Sequence, residues 1–461
     1  MDNIVRNKNK FFKNNVTKKK KNKETKTKKI TEFWKKSSNP VKASLVLMGI
    51  GHLKYKCFYK AIIYFMVEAL MITYMISRGI DDVIGFFTLG VVKADAWARI
   101  EGDDSIIMLL MGIFSFIVIT LFVVIYIQCI KDAYRLQLDY ENGKKCKTFK
   151  KFIADFFDTR FHVTALSLPV IGVCIFNVLP IVFMILIAFT NYGGTIVPPE
   201  LIDWVGVKNF QKLLVLSKFG PTFAKILKWN LLWAVLSTTL NYFAGLGLAL
   251  LLNKKCVKGK AFWRAFPVLA YAIPGFITLL AFKFLFSYGG PINQIIVAQG
   301  GKAIGFLDLD AKISSRIIGL FVNCWISVPS IMLLATGHLS NMDKTLFEAA
   351  KIDGAGRFAR FWKLTMPFML FSTMPVLLGQ FIGNFNNFGI FYFLRGGLYN
   401  KGYFLASDTD LLINWLYNLS IDNNYYCIGA AISLVIFIIT SAISLFIYVK
   451  SPSYREEDTF Q

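Results

Sequence analysis

Eight stretches of the chain, 58–77, 106–127, 165–190, 230–252, 267–286, 317–337, 369–394 and 428–449, are mostly apolar. Each reaches the roughly 20 residues a helix needs to cross a bilayer. Lipid offers a backbone no hydrogen-bond partner, so such a chain folds as a bundle of helices. The expected fold class is an all-α polytopic membrane protein with eight transmembrane helices. Only 17% of the residues are charged, against about 25% in soluble domains, which excludes a soluble globular enzyme. The first run begins behind a long basic tail and is read as a retained span, not a cleavable signal.

The formal net charge is +24, from 52 Lys/Arg and 28 Asp/Glu. On a folded surface that balance would fit nucleic acid. Here 17 of the basic residues fall in 1–57 beside Asp2, Glu24 and Glu32 only, with Lys18–Lys21 contiguous. Residues 1–57 are therefore read as a disordered, solvated cytoplasmic tail that reinforces topology and is drawn to anionic lipid. No nucleic-acid partner is expected. With the N-terminus inside, inner segments carry 37 Lys/Arg and outer loops 13, so both termini are expected in the cytoplasm of a multi-pass cell-membrane protein. The outer loop 191–228, with Lys208, Lys212, Lys218, Lys225 and Lys228, runs against that rule.

Seven scattered cysteines without a C-x-x-C pair give no expectation of a disulfide framework or zinc site. His52, His162 and His338 fall at expected membrane edges and read as polar junctions, so no metal is expected. Within the spans, Lys283 should snorkel toward the surface. Glu68 is a candidate functional acid, although one carboxylate makes no proton relay.

The most informative stretch joins spans six and seven. Asp343 or Thr345 can cap a short helix through Ala350, and Gly354 and Gly356 permit a sharp turn. Phe358, Phe361 and Trp362 then share one face of a second helix, which Pro367 should break where the next span begins. The product is a helical hairpin on the inner membrane surface, shaped to dock in a groove of a soluble partner. Its residues Glu348, Ala349, Ala350, Asp353, Gly354, Ala355 and Pro367 resemble the E-A-A-x-x-D-G-A…P loop of permease subunits of ATP-binding-cassette (ABC) importers. The resemblance implies the type I importer permease fold, with 343–367 as the coupling (EAA) loop that sits in a cleft of a separate ATPase.

Trp204–Phe210 resembles the V-G-x-x-N-F element that precedes the core of sugar permeases, and Asn384–Phe388 and Thr409–Leu412 resemble the larger membrane subunit of maltose/maltodextrin importers. A sugar site needs amides for hydroxyls and aromatics for ring faces. Gln380, Asn384 and Asn387 are spaced to share one face of span seven, flanked by Phe385, Phe388 and Tyr392, while Asn386 points elsewhere as interhelical glue. The positions matching the family's sugar contacts are Tyr271, Asn323, Ile326, Ser327, Ser330, Gln380, Gly383, Asn384 and Asn387. Ser330 and Gly383 stand where the maltose-type pattern has aromatics.

The expected organisation is a tail (1–57), two helices (58–127), a cytoplasmic loop (128–164), a six-helix permease core (165–450) and a C-terminal cytoplasmic tail (451–461). No G-x-x-x-x-G-K-[S/T] loop occurs, so no cofactor is expected on this chain. ATP and Mg²⁺ would belong to the ATPase pair that the resemblance implies. It also implies a second homologous permease, an extracellular sugar-binding protein and a sugar passing between. The competing class is a polytopic membrane enzyme, a glycosyl- or lipid-transferase, with a metal at Asp103/Asp104 or Asp408/Asp410; solvated loop acids are the plainer reading of both pairs.

Overall fold

The computed structural model describes residues 36–450, apart from Ala96, Lys145, Lys147, Arg160, Leu216, Ser217 and Lys255. Residues 1–35 and 451–461 lie outside the described residues, and with them most of the tail read over 1–57; its last part, 36–57, is not disordered but carries two short helices with Val41, Met48 and His52 buried. Among the described residues the regular structure is helical, with three isolated bridges. Contacts divide the chain into two units, Met1–Phe183 with Pro198–Leu201 and Met184–Val197 with Ile202–Gln461.

The first unit carries α1 (Asn39–Ala43), α2 (Ile50–Lys54), α3 (Phe58–Tyr74), α4 (Ile80–Thr88), α5 (Ser105–Glu141), α6 (Phe149–Phe157) and α7 (Phe161–Val173). A π turn, Met75–Gly79, links α3 and α4 into one span-length helix, Phe58–Thr88. Asp104 caps α5, its carboxylate accepting from the Ile106 and Ile107 amides at 2.9 and 3.1 Å. Helices α4 and α5 touch where Gly112 leaves room: a Cβ there would meet Phe86 Cβ at 2.4 Å. Glu68 accepts from the Met48 amide at 2.8 Å. It thus satisfies a backbone donor in the segment between α1 and α2, a structural duty. Cys57 and Cys146 are joined as a disulfide, with Cα atoms 5.7 Å apart, where the scattered cysteines predicted none. Spacing in sequence could not reveal that the start of α3 meets the segment between α5 and α6.

Helix α8 (Leu179–Ile187) leads into the second unit. There follow α9 (Lys208–Val215), α10 (Gly220–Asn253), α11 (Lys260–Ala272), α12 (Gly275–Leu285), α13 (Pro291–Ala298) and α14 (Lys312–Ser340). The chain ends through α15 (Lys344–Ile352), α16 (Arg357–Arg360), α17 (Met366–Phe385), α18 (Gly389–Arg395), α19 (Leu412–Ser420) and α20 (Tyr426–Lys450). Helix α10 packs along α14 and α17. Helices α10 and α14 approach closely at Gly245, where a Cβ would meet Ile331 at 2.6 Å, the close packing that small residues allow inside membranes. Trp229, Trp233, Val322 and Phe391 form the core beside that seam.

Among the described residues seven helices are long and apolar enough to span, and an eighth crossing is made by α11 and α12 only if a 92° bend between them is counted within one span. The fifth apolar run is therefore broken. The cause is Pro274: the residue before a proline avoids the helical region, and Ile273 is extended at φ −79°, ψ 131°. The seventh run is also interrupted, because α17 stops at Phe385 and α18 resumes at Gly389.

Candidate functional site

Interrupting a helix inside lipid leaves backbone groups that must find partners. At the break after α17 the partners are side chains. Asn230 Nδ2 donates to Phe385 O at 3.0 Å, Trp233 Nε1 to Asn384 O at 3.1 Å, and Asn414 Nδ2 to Phe388 O at 2.8 Å. The other end of Asn230 accepts from the Leu412 amide at 2.7 Å, fixing the start of α19. The break is thus built in by three polar side chains on α10 and α19.

Around it lies a relay of amides. Asn387 Nδ2 donates to Asn323 Oδ1, and Asn323 Nδ2 to Asn384 Oδ1, both at 3.3 Å. Asn384 Nδ2 donates on to Thr238 Oγ1 at 3.0 Å. Asn323 and Asn384 are buried, whereas Asn387 is partly open. Asn387 lies beyond the end of α17, so it does not share a helical face with Gln380 and Asn384 as the spacing predicted. The chain break brings it to Asn323 instead. One turn before Asn384, the buried Gln380 Oε1 has no partner among the described residues. Ser330 Oγ donates to its own helix at Ser327 O, 2.8 Å away, and Ile326 packs on the tryptophan core. Gly383 is exposed with open space where a Cβ would stand. Tyr271 is exposed at the end of α11, and no hydrogen bond joins it to the amides among the described residues. Asn386 donates to Ile382 O at 3.2 Å on its own helix, so it finishes α17, and no interhelical hydrogen bond of its side chain occurs among the described residues.

A large groove of about 1080 Å³ on α10, α17 and α20 has Thr238 on its wall but is otherwise lined by residues such as Tyr242, Trp362, Met366 and Phe371. That lining suits apolar surface, not sugar hydroxyls.

The hairpin between α14 and α17 has the expected local chemistry. Asp343 caps α15, accepting from the Thr345 amide at 2.8 Å. That bond holds the Asp343 carboxyl below the usual range. Gly354 turns the chain at φ 75°, a left-handed conformation suited to glycine. Glu348, Ala349, Asp353 and Gly354 are exposed and Ala350 is half-buried. Leu346, Ile352 and Phe358 are exposed around them, Ile352 at 86%. Phe358, Phe361 and Trp362 make edge-on ring contacts as their shared face predicted. Pro367 does not break the chain's course. A π turn, Phe361–Thr365, runs into α17, and its shifted register absorbs the missing proline N–H.

Near the far end of α18 a second polar cluster escaped sequence reasoning. Arg395 is fully buried and uses its whole guanidinium: Asp408 Oδ1 (2.8 Å), Thr409 Oγ1 (2.9 Å), and the carbonyls of Leu307, Asp308 and Leu309. Asp410 accepts from the Ser407 amide and hydroxyl at 2.8 and 2.7 Å and from Asn418 at 3.3 Å. Burial nevertheless pushes the Asp410 carboxyl up to about 6. Both acids are buried and occupied, so neither the metal reading nor the solvated-loop reading of this pair holds, and no metal-type cluster occurs among the described residues. At the other acid pair, Asp103 accepts from the Val91 and Val92 amides at 2.7 and 2.9 Å and Asp104 is the α5 cap. In the Trp204–Phe210 element, buried Asn209 donates to the carbonyls of Ala188 and Thr190, tying α9 to the end of α8.

A bundle of membrane-crossing helices with a broken, amide-lined span and an exposed glycine hairpin defines a membrane permease. Residues 241–451 match the family model of the binding-protein-dependent transport system inner membrane component. The chain belongs to that family, the permease subunits of ABC importers. It is similar to the maltodextrin transport system permease protein MalC of Streptococcus pneumoniae, 31% identical over 91% of this chain and 98% of that one. It is also similar to the galactooligosaccharides transport system permease protein GanP of Bacillus subtilis, 30% identical over 89% and 97% of the two chains. Among solved structures, a chain of a bacterial ABC transporter involved in the import of the acidic polysaccharide alginate superposes with a TM-score of 0.52. It is 21% identical, covering 64% of this chain and 96% of that one, and bears on the fold alone.

Proposed function

We propose that this permease carries a neutral, maltodextrin-like oligosaccharide along the amides of α14 and α17, driven by a separate ATPase pair that docks on 343–367. The observation that supports the sugar reading is the relay Asn387–Asn323–Asn384 with the unpaired Gln380 Oε1 beside it. Uncharged donors and acceptors match hydroxyl groups and demand no counter-charge, and Asn387 is the partly open end of the relay. The other positions, Tyr271, Ile326, Ser327, Ser330 and Gly383, would shape the cavity. Gly383 and Ser330 leave room that a wider sugar can fill. Relatives named for maltodextrin and galactooligosaccharides support an oligosaccharide over a monosaccharide.

The chain holds no cofactor in this reading; ATP and Mg²⁺ act on the partner ATPase. A second homologous permease completes the pathway, and the uncovered apolar groove on α10, α17 and α20 suits its helices. An extracellular binding protein delivers the sugar. The Lys/Arg bias supports both termini inside. The test is uptake into proteoliposomes holding the whole importer, with labelled maltodextrins, galactooligosaccharides and free glucose in competition. Saturable, ATP-dependent uptake of an oligosaccharide supports the reading; uptake of charged solutes alone overturns it.

A further inference from the structure

The first unit contains a basic cavity that the transport reading does not use. Its volume is about 370 Å³, within the roughly 300–1,000 Å³ of small-ligand sites. One wall is the stripe Gln128, Lys131, Asp132 and Arg135 on α5, spaced to share a helical face; the other is Lys60 and Tyr64 on α3, four residues apart. Phe152 of α6 closes one end, with Lys60 Nζ 5.9 Å from its ring centroid.

The charges do not cancel. Asp132 Oδ2 is taken by Lys60 Nζ at 2.7 Å and His52 Nε2 at 3.2 Å. Lys131 and Arg135 have no carboxylate partner among the described residues, and both side chains are exposed. The carboxylate therefore anchors Lys60 in the wall and leaves two cations facing the cavity. Their position along the helices matters equally. Lys60 stands where the first apolar run begins, and Lys131 and Arg135 follow directly on the apolar run of α5. Both walls thus turn basic at the depth where a bilayer changes from hydrocarbon to phosphate.

We propose that this cavity is a binding site for the headgroup of an anionic phospholipid. The phosphate sits between Lys131 and Arg135, and the acyl chains run beside α3 and α5. Arg135 is suited to a bidentate phosphate contact and Lys131 to a point-charge contact. An unbound phosphate from solution shares this chemistry, but it has no apolar tails to place against the flanking helices. The site depends only on the chain crossing a membrane, so failure of the sugar reading would leave it standing.

The test uses the complete importer in nanodiscs of mixed phosphatidylglycerol and phosphatidylethanolamine, with retained lipid read by native mass spectrometry after release. Wild-type protein is expected to keep phosphatidylglycerol in preference. Each cation near a membrane surface contributes about a fivefold factor in lipid affinity. Lys131→Gln or Arg135→Gln should therefore lower retention about fivefold, the pair about 25-fold, while Arg135→Lys keeps most of it. The single variants are read if the double variant fails to assemble. Equal retention of both lipids, or unchanged retention in the variants, overturns the site. Binding of inorganic phosphate to lipid-depleted complex, without any phosphatidylglycerol preference, assigns the cavity to a soluble anion and overturns the lipid proposal.

Discussion

Asn323 on α14 donates its side-chain amide to Oδ1 of Asn384 on α17, 3.3 Å away, at the point where α17 is about to break. The bond ties α14 to the interrupted end of α17, within the amides proposed above to meet a sugar. Interhelical hydrogen bonds of this kind contribute only about 0.6 kcal/mol on average in membranes. Asn384→Ala should therefore lower thermal stability by about 1 kcal/mol while reducing sugar uptake more than tenfold, a loss of at least about 1.4 kcal/mol in sugar or transition-state binding. Uptake normalised to protein in the membrane checks this. A proportional fall of stability and uptake would mean the amides only hold helices together.

Arg395 and Asp408 carry a different kind of weight. Removing one member of a buried pair leaves an uncompensated charge, which costs about 3–5 kcal/mol. Arg395→Ala should thus markedly lower the unfolding temperature of the purified importer. Arg395→Met with Asp408→Leu should recover much of the loss, because no lone charge remains. Scanning calorimetry of the two variants is the measurement, and an unchanged midpoint in Arg395→Ala contradicts the assignment.

Asp410 makes stability depend on pH in a defined direction. Its carboxyl is raised to about 6 in the folded protein by burial, against about 3.9 for a free Asp. The folded state therefore holds the proton more tightly. The stabilisation is fully present below about pH 4 and is lost as pH rises through about 6, on the order of 3 kcal/mol in all. The difference in midpoint between wild type and Asp410→Asn, followed from pH 4 to 7, should show wild type losing ground as pH rises. A flat difference would show that the carboxyl titrates normally.

Much of this was legible in the sequence because membranes impose a simple rule. The apolar runs located the spans, and Asp343, Gly354 and the aromatic spacing gave the helical hairpin before α17 down to its cap. What the sequence hid follows from long-range satisfaction of polar groups. Asn230, Trp233 and Asn414 looked like ordinary residues until the break at Phe385 gave them carbonyls to serve. A buried Asn in the apolar run 230–252 was the available signal. Asp408 and Asp410 read as loop acids because nothing local reveals Arg395 folding over them. Pro367 and Pro274 carried the same local signal yet behaved differently: a π turn absorbed one, and the other bent its span by 92°.

The account depends most on the exposed hairpin Lys344–Gly356 being the seat of the ATPase. The direct measurement is co-purification of the ATPase with the permease, and sugar-stimulated ATP hydrolysis, for wild type, Glu348→Ala and Gly354→Val. A β-branched residue at φ 75° costs about 1–2 kcal/mol or more of local strain. Both variants should insert normally yet lose ATPase affinity at least tenfold and with it stimulated hydrolysis. Full ATPase retention and unaltered hydrolysis in both would contradict the account.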